Sequence, residues 1–227
     1  MRTVVRLTPD RLEELRAAQL PCGVCTRWEL DPVRRLRLED DAEAAAEKDA
    51  WVSQVLREWG SCGRVALVDG AAVGYVVYAP DSYVPGAMSF ATAPVSPDAV
   101  LLTTVSLAPE HRGHGLGRML VQGMAADLID RGGVRAVEAF GRRGTAWTPD
   151  SSCLVSSDFL ARVGFRTQRS HPSTPRMRMD LRSAVTWREE VEAALGRLVG
   201  VVRPSPVPDV GRMSRQPKGP GSPQGLS

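Results

Sequence analysis

The sequence predicts an α+β domain in which helices are interspersed among the strands of one sheet. Residues 100–107 form an apolar, β-branched run that stops before Pro109, as a strand would. An apolar stripe then recurs at every fourth position, as on one face of a helix, and consists of Leu116, Leu120, Met124 and Leu128. Six further β-type runs lie on either side of this strand and helix. A sheet with flanking helices accommodates all of them.

The remaining elements follow from turn and capping residues. Strands are predicted at residues 3–7, 63–69, 72–78, 134–140, 165–170 and 176–181. Helices are predicted at residues 9–18, 45–59 and 157–163, and two long loops at residues 81–98 and 141–152. Residues 1–182 therefore make up one domain. We expect an additional helix at residues 183–202 and a disordered tail, rich in Pro, Gly and Ser, at residues 203–227.

Composition and charge narrow the classes of function. The 227 residues are 43% hydrophobic and 24% charged, as is ordinary for a soluble globular protein, and the formal net charge of +3 is too small to indicate nucleic-acid binding. No window approaches the roughly 18 to 20 apolar residues of a membrane span, and the N-terminus lacks the apolar core of a signal peptide. A cytoplasmic protein that binds neither nucleic acid nor membrane is predicted.

A glycine-rich loop joins the predicted strand at residues 100–107 to the helix after it. Residues 112–117 read Arg-Gly-His-Gly-Leu-Gly, and glycine at alternate positions allows a sharp turn and close approach of a ligand. The free amides and positive dipole of the helix end favour phosphate. A Walker loop is excluded because Arg118 and Met119 stand where it needs Lys and Ser or Thr, and the spacing excludes a dinucleotide fingerprint.

The strand, its Ala-Pro-Glu-His exit and the Arg-x-x-Gly-x-Gly loop resemble the signature of the GNAT superfamily of acyl-CoA-dependent acyltransferases. Val163-Gly164-Phe165 also resembles the Leu-Gly-Phe step of that family, so the resemblance extends over residues 3–181. It implies a twisted, mostly antiparallel central sheet with one splayed parallel pair of strands. Acetyl-CoA would be the co-substrate, and the acceptor an amine of a small molecule, a protein N-terminus or a lysine. The sequence leaves open whether the protein forms a homodimer.

The resemblance also implies which residues bind the co-substrate. Backbone groups of the strand would pair with the pantetheine arm, and the loop amides with the pyrophosphate. Carried onto this sequence, these residues are Val105, Ser106, Leu107, Arg112, Gly113, His114, Gly115, Leu116, Gly117 and Arg118.

Acyl transfer to an amine needs a base for the amine and an acid for the leaving thiolate. Residues 99–108 contain no carboxylate, although many relatives carry a glutamate there, and Leu160 occupies the position of the usual tyrosine acid. Glu138 is our candidate base, with a structural carboxylate as the alternative. Tyr83 is the candidate acid, with packing of the loop as the alternative. The remaining polar candidates are His171, Thr103 and Thr104.

A second local pattern is Cys22-x-x-Cys25 followed by Trp28-Glu29. It is half of a tetrahedral zinc site, with Cys62 and a histidine as conceivable further ligands, or a redox pair, or two plain buried thiols. We expect this segment to shape the acceptor pocket.

Three functions stay open at this level. The first is an acetyl-CoA-dependent N-acetyltransferase. The second is a catalytically weak acyl-CoA sensor or interaction module, which the missing glutamate and tyrosine would suit. The third uses the fold as a scaffold for redox chemistry at Cys22 and Cys25.

Overall fold

The computed structural model describes residues 1–144 and 153–182. The predicted helix at residues 183–202 and the predicted tail at residues 203–227 lie outside this part of the chain, as do residues 145–152 of the second long loop.

Within residues 1–144 and 153–182, seven strands form a single sheet in the order β1-β2-β3-β4-β5-β7-β6. They are β1 (Arg2–Arg6), β2 (Gly63–Val68), β3 (Ala71–Ala79), β4 (Ala99–Leu107), β5 (Ala136–Phe140), β6 (Arg166–Arg169) and β7 (Arg176–Asp180). Every neighbouring pair is antiparallel except β4 and β5, which are parallel. The predicted mixed sheet with one parallel pair is therefore confirmed.

Five α-helices in the described part of the chain accompany the sheet, and capping residues fix where they begin. They are α1 (Pro9–Ala17), α2 (Pro32–Arg35), α3 (Asp41–Glu58), α4 (Leu116–Arg131) and α5 (Ser157–Arg162). Helix α3 begins four residues before the predicted start because Asp40 accepts a hydrogen bond from the amide of Glu43 at 2.8 Å, and the Glu43 carboxylate accepts one from the amide of Glu39. In the described part of the chain, no helix is long and apolar enough to cross a membrane.

The sheet separates two hydrophobic cores. Helices α1 and α3 cover one side, which we call the α3 face, and helices α4 and α5 cover the other, which we call the α4 face. Successive side chains of β4 point to opposite faces of the sheet, so this strand contributes to both cores. Leu101 packs on the α3 face, whereas Val100 and Leu102 pack on the α4 face.

The two central strands are paired over only three residues. Ala99–Leu101 of β4 lie beside Ala136–Glu138 of β5, and beyond this point the strands separate. Strand β4 continues along β3 as far as Leu107, while β5 continues along β7 as far as Phe140. The predicted splay is thus present, and it opens next to the glycine loop that follows β4.

Candidate active site

The glycine loop has the backbone conformation that the sequence predicted. Gly113 and Gly115 adopt positive φ angles of 79° and 82°, in the left-handed region that favours glycine, and a Cβ added at either would meet nothing within 4 Å. Gly115 also caps the N-terminus of α4. Gly117 serves a different purpose, because a Cβ there would lie 2.9 Å from the ring of Phe159 and push α5 away.

Arginine side chains hold the loop through its carbonyl groups. Arg112 Nε donates to the carbonyl of Leu107 at 3.1 Å, and Arg2 Nη1 donates to the carbonyl of His114 at 3.0 Å. Residues 112–115 are exposed, and the amides of the first turn of a helix have no partner within it. The loop therefore presents amide groups and positive charge to solvent, which suits the pyrophosphate of coenzyme A.

One edge of β4 is available for a strand-like ligand. Val105, Ser106 and Leu107 pair with β3 on one side, while β5 has already diverged on the other. Backbone groups on such an edge can bind an extended chain by adding it to the sheet. The pantetheine arm of coenzyme A carries two amides and fits this edge.

Two hydroxyls beside the splay have no protein partner in the described residues. Thr104 and Ser106 are 2% and 7% exposed, and their Oγ atoms are buried without a hydrogen bond. A register shift between β3 and β4 leaves Thr103 without an opposite residue, and its Oγ1 donates to the carbonyl of Val77 at 3.2 Å. Because buried polar atoms are normally paired, the two hydroxyls point to polar ligand atoms at this place.

Glu138 lies next to the splay, as predicted, but its carboxylate is already held by cations. The residue is fully buried, and its two oxygens lie 3.2 Å from guanidinium nitrogens of Arg176 and Arg178. The amide of Ser96 donates to the same carboxylate at 3.2 Å. Arg178 is shared with Asp98 through two hydrogen bonds of 2.9 Å. These contacts favour a structural carboxylate that fixes β7 and the loop before β4.

The side chain of Tyr83 packs against the core of the α3 face. Burial and the carboxylate of Glu58 raise the pKa of Tyr83 above the usual value for tyrosine. Glu58 is the last residue of α3, and the neighbouring Trp59 stacks with Arg131, the last residue of α4. The glycine loop is at the opposite end of α4. The contacts of Tyr83 therefore favour packing over proton donation to the leaving thiolate.

His171, the further candidate base, has partners within its own turn. The Nδ1 atom of His171 accepts hydrogen bonds from the amides of Ser173 and Thr174, at 3.4 Å and 3.0 Å, and so caps the turn between β6 and β7. Leu160 is fully buried in the core of the α4 face.

Cys22 and Cys25 meet a third cysteine that sequence reasoning missed. The Sγ of Cys153 lies 3.1 Å from that of Cys22 and 2.7 Å from that of Cys25. We call these three residues the thiol cluster. Cys62, proposed above as a conceivable zinc ligand, is instead fully buried in the core of the α3 face. Within residues 1–144 and 153–182, no group of three or more His, Cys, Asp or Glu side chains has a geometry that could hold a metal ion.

A buried ion pair lies beneath the thiol cluster. Lys48 and Glu29 are 1% and 0% exposed, and the ammonium and carboxylate are 2.7 Å apart. Lys48 Nζ also donates to the carbonyl of Cys25 at 2.7 Å, so the pair anchors the loop between α1 and α2 to helix α3.

An aromatic stack lines the α3 face near the splay. The rings of Trp28, Phe90 and Phe140 are nearly parallel, with centroids 4.5 Å apart for Phe90 and Phe140 and 5.2 Å apart for Trp28 and Phe90. The loops that carry Trp28 and Phe90 contact each other through their backbones, since the amide of Gly86 donates to the carbonyl of Trp28 at 3.2 Å. The two loops thus pack together over the α3 face of the sheet.

Sequence comparison identifies the family. The chain matches the family described as "Acetyltransferase (GNAT) family". The match extends over residues 26–144, which is more than half of the chain. The chain belongs to the GNAT family of acetyltransferases. As a GNAT acetyltransferase it is an acetyl-CoA-dependent N-acetyltransferase, in agreement with the open edge of β4 and the glycine loop.

Individual proteins are similar to this chain at low sequence identity. An L-2,4-diaminobutyric acid acetyltransferase of Nocardia farcinica (strain IFM 10152) is 29% identical over 166 residues, which are 69% of this chain and 76% of that protein. A solved acetyltransferase superimposes with a TM-score of 0.52 at 15% identity, covering 79% of this GNAT acetyltransferase and 99% of its own chain. The PaiA N-acetyltransferase of Thermoplasma acidophilum, solved with coenzyme A, has a TM-score of 0.48 at 13% identity, with 79% and 99% covered.

Proposed function

We propose that this GNAT acetyltransferase transfers the acetyl group of acetyl-CoA to a primary amine of a small molecule. The observation that carries the proposal is the free edge of β4 leading directly into the exposed amides of the glycine loop. This arrangement offers one continuous binding surface for an extended, phosphate-bearing thioester. A cytoplasmic location stays a prediction from the sequence.

The acceptor side favours a small amine over a protein segment. The backbones of the loops that carry Trp28 and Phe90 approach closely, and a Cβ at Gly86 would lie only 2.0 Å from the carbonyl oxygen of Arg27. A folded or extended polypeptide needs an open groove, whereas an amine with a short carbon chain needs only a narrow opening. The name of the Nocardia relative points in the same direction, because diaminobutyric acid is a small diamine.

Acetyl-CoA supplies an activated acetyl group as a thioester. The chain holds that substrate through the β4 edge and the loop amides, and it orients the amine beside the hydroxyls of Thr104 and Ser106. The ordinary pKa of an alkyl amine lies near that of lysine, about 10.4, so a proton must leave the amine before or during attack. We infer that a water bound at Thr104 and Ser106 relays the first proton of the ammonium group to solvent, because Glu138 is occupied by arginines. The second proton, which the amine loses on attack, passes through the same water to the leaving thiolate.

A panel of amines tests the proposed acceptor. Release of the coenzyme A thiol is measured with diamino acids, with simple diamines and with peptides that present either a free N-terminus or one lysine. We expect a small diamine or diamino acid to raise thiol release at least tenfold above hydrolysis, and the peptides to have no effect. Activity restricted to peptides would contradict the small-molecule acceptor. Tight acetyl-CoA binding with no thiol release for any amine would favour the acyl-CoA sensor, which the absence of a carboxylate on β4 also fits.

Glu138→Gln separates a structural carboxylate from a base. Breaking a buried ion pair typically costs 3–5 kcal/mol, so we expect the free energy of unfolding to fall by about 3 kcal/mol. The folded enzyme should keep kcat within about threefold, with an unchanged pH–rate profile. Asp98→Asn removes a more exposed carboxylate from the same Arg178 and should cost less stability. A loss of about 10² to 10⁴ in kcat together with one limb of the pH profile would identify Glu138 as the base.

A further inference from the structure

The thiol cluster brings together parts of the chain that are far apart in sequence. Cys22 and Cys25 come from the loop between α1 and α2, while Cys153 precedes α5. Cys22 and Cys25 are partly exposed, so a small solute can reach them, whereas Cys153 is buried. Three sulfur atoms in contact are unlike plain core thiols, which pack singly among apolar groups.

The spacing of the sulfur atoms is unsuited to zinc. Zinc–sulfur bonds of about 2.3 Å in a tetrahedral site place neighbouring sulfurs about 3.8 Å apart. Cys153 lies only 2.7 Å and 3.1 Å from its two neighbours, and the ammonium group of Lys48 is bonded to the carbonyl of Cys25. A second cation would be disfavoured at this place. Close contact between thiols is instead the arrangement from which a disulfide forms.

The surroundings stabilise a thiolate at Cys25. Hydrogen bonds from Cys153 and Cys22 lower the pKa of Cys25 below the usual cysteine value, and the positive charge of Lys48 acts in the same direction. The pKa of Cys22 is raised, chiefly by its hydrogen bond to Cys153. Burial raises the pKa of Cys62 to about 12, so that thiol is protonated and unreactive. The other ionisable groups beside the cluster are Glu29 and Tyr75.

We propose that the thiol cluster is a redox site for hydroperoxides, in which Cys25 is the sulfur that is oxidised and Cys153 the thiol that closes a disulfide with it. A partly exposed thiolate with a second thiol in contact is the arrangement that peroxide-reactive cysteines use. The contacts of Cys153 with Cys22 and Cys25 are not part of the Cys-x-x-Cys pattern, and acetyl transfer does not need them.

The reaction balances in two steps. The Cys25 thiolate attacks the outer oxygen of the hydroperoxide and the O–O bond breaks; one proton is taken up, the sulfur becomes a sulfenic acid, and an alcohol or water leaves. Cys153 then attacks the Cys25 sulfur, the S–O bond breaks, and the hydroxide leaves as water with the proton from Cys153. The hydroperoxide is reduced by two electrons, which come from the two cysteines.

Peptide mapping of the whole reduced chain tests the proposal without relying on activity. The chain is treated with hydrogen peroxide, remaining thiols are blocked after unfolding, and the protein is cleaved with trypsin. Cys22 and Cys25 fall in the tryptic peptide 17–27, Cys153 in the peptide 144–162 and Cys62 in the peptide 58–64. We expect a cross-link between the first two peptides, while Cys62 stays blockable and reports that the chain remained folded.

The pH dependence of the cross-linking rate provides a second readout. Because Cys25 is already a thiolate, we expect the rate to change by less than about twofold between pH 6 and pH 8. A free cysteine of ordinary pKa reacts more than about fiftyfold faster at pH 8 than at pH 6. The variant Cys25→Ser should slow the loss of thiols at least tenfold, whereas Cys62→Ser, the control, should leave the rate unchanged.

Several outcomes would overturn the proposal. One is a disulfide confined to the peptide 17–27, which would join Cys22 to Cys25. Another is loss of the cross-link in the variant Cys22→Ser, because Cys25 and Cys153 should suffice to form it. The proposal would also be overturned if the chain bound one equivalent of zinc, or if the thiol cluster were oxidised no faster than Cys62.

Discussion

Gly115→Glu is expected to lower the affinity for acetyl-CoA by roughly a hundredfold. The substitution places a carboxylate at the N-terminus of α4, where the loop amides would otherwise meet the pyrophosphate. Two unit charges about 6 Å apart at an effective dielectric constant of 20 repel each other by about 2.8 kcal/mol, which is roughly a hundredfold in affinity. Calorimetric titration with acetyl-CoA measures the loss directly.

The opposite end of the same helix offers a matched control. Gly132 has a φ angle of +72°, and a Cβ added there also meets nothing within 4 Å. Gly132→Glu therefore introduces the same charge far from the loop, with a larger backbone strain of about 1–3 kcal/mol because ψ is 174° there and −4° at Gly115. We expect it to destabilise the fold at least as much as Gly115→Glu does and to leave acetyl-CoA affinity unchanged. Equal affinities for both variants would contradict the phosphate site.

Lys48→Met is expected to lower the free energy of unfolding by about 3–5 kcal/mol, because it leaves the buried carboxylate of Glu29 without its cation. Although burial alone would lower the pKa of Lys48, its interactions with Glu29 outweigh that effect and raise the pKa above 10.5. The stability that the ion pair contributes is therefore fully present at neutral pH. It is lost only as the pH rises through the raised pKa of Lys48. Chemical denaturation at pH 7 measures the change.

Two further variants show whether burial causes the effect. Arg34 and Glu47 are 3.3 Å apart on the surface, with side chains 60% and 35% exposed, so Arg34→Met should cost less than about 1 kcal/mol. The double variant Lys48→Met with Glu29→Gln removes both charges and should regain part of the lost stability. If Lys48→Met cost no more than Arg34→Met, the buried pair would not stabilise the fold.

The arrangement of the sheet could be predicted because its signals are local. Apolar runs, the hairpin turn at Asp69-Gly70 and the glycines at the ends of α4 each determine an element from a few neighbouring residues. Two helices differ from the prediction, since α2 was not predicted and α3 begins four residues early. Their signals were also local, because Asp31 before Pro32 marks the start of α2 and Asp40 caps the first turn of α3.

The chemistry of the site was harder to predict because it depends on contacts between distant residues. The strand carrying Glu138 could be placed beside β4, but the two arginines that hold its carboxylate depend on the register of β7 against β5. Likewise Cys153 lies 128 residues from Cys25 and has no sequence pattern that pairs it with Cys22-x-x-Cys25. Only the folded chain brings these groups together.

The three-residue pairing between β4 and β5 makes the substrate part of the architecture. Strands β1 to β4 and strands β5 to β7 are two blocks joined along a short hydrogen-bonded seam. A ligand that adds a strand to the free edge of β4 occupies the gap where β5 has diverged, while its phosphates rest on α4, which packs on the first block. Because such a ligand lies between the two blocks, we expect independent unfolding of one block to become rarer as acetyl-CoA occupancy rises.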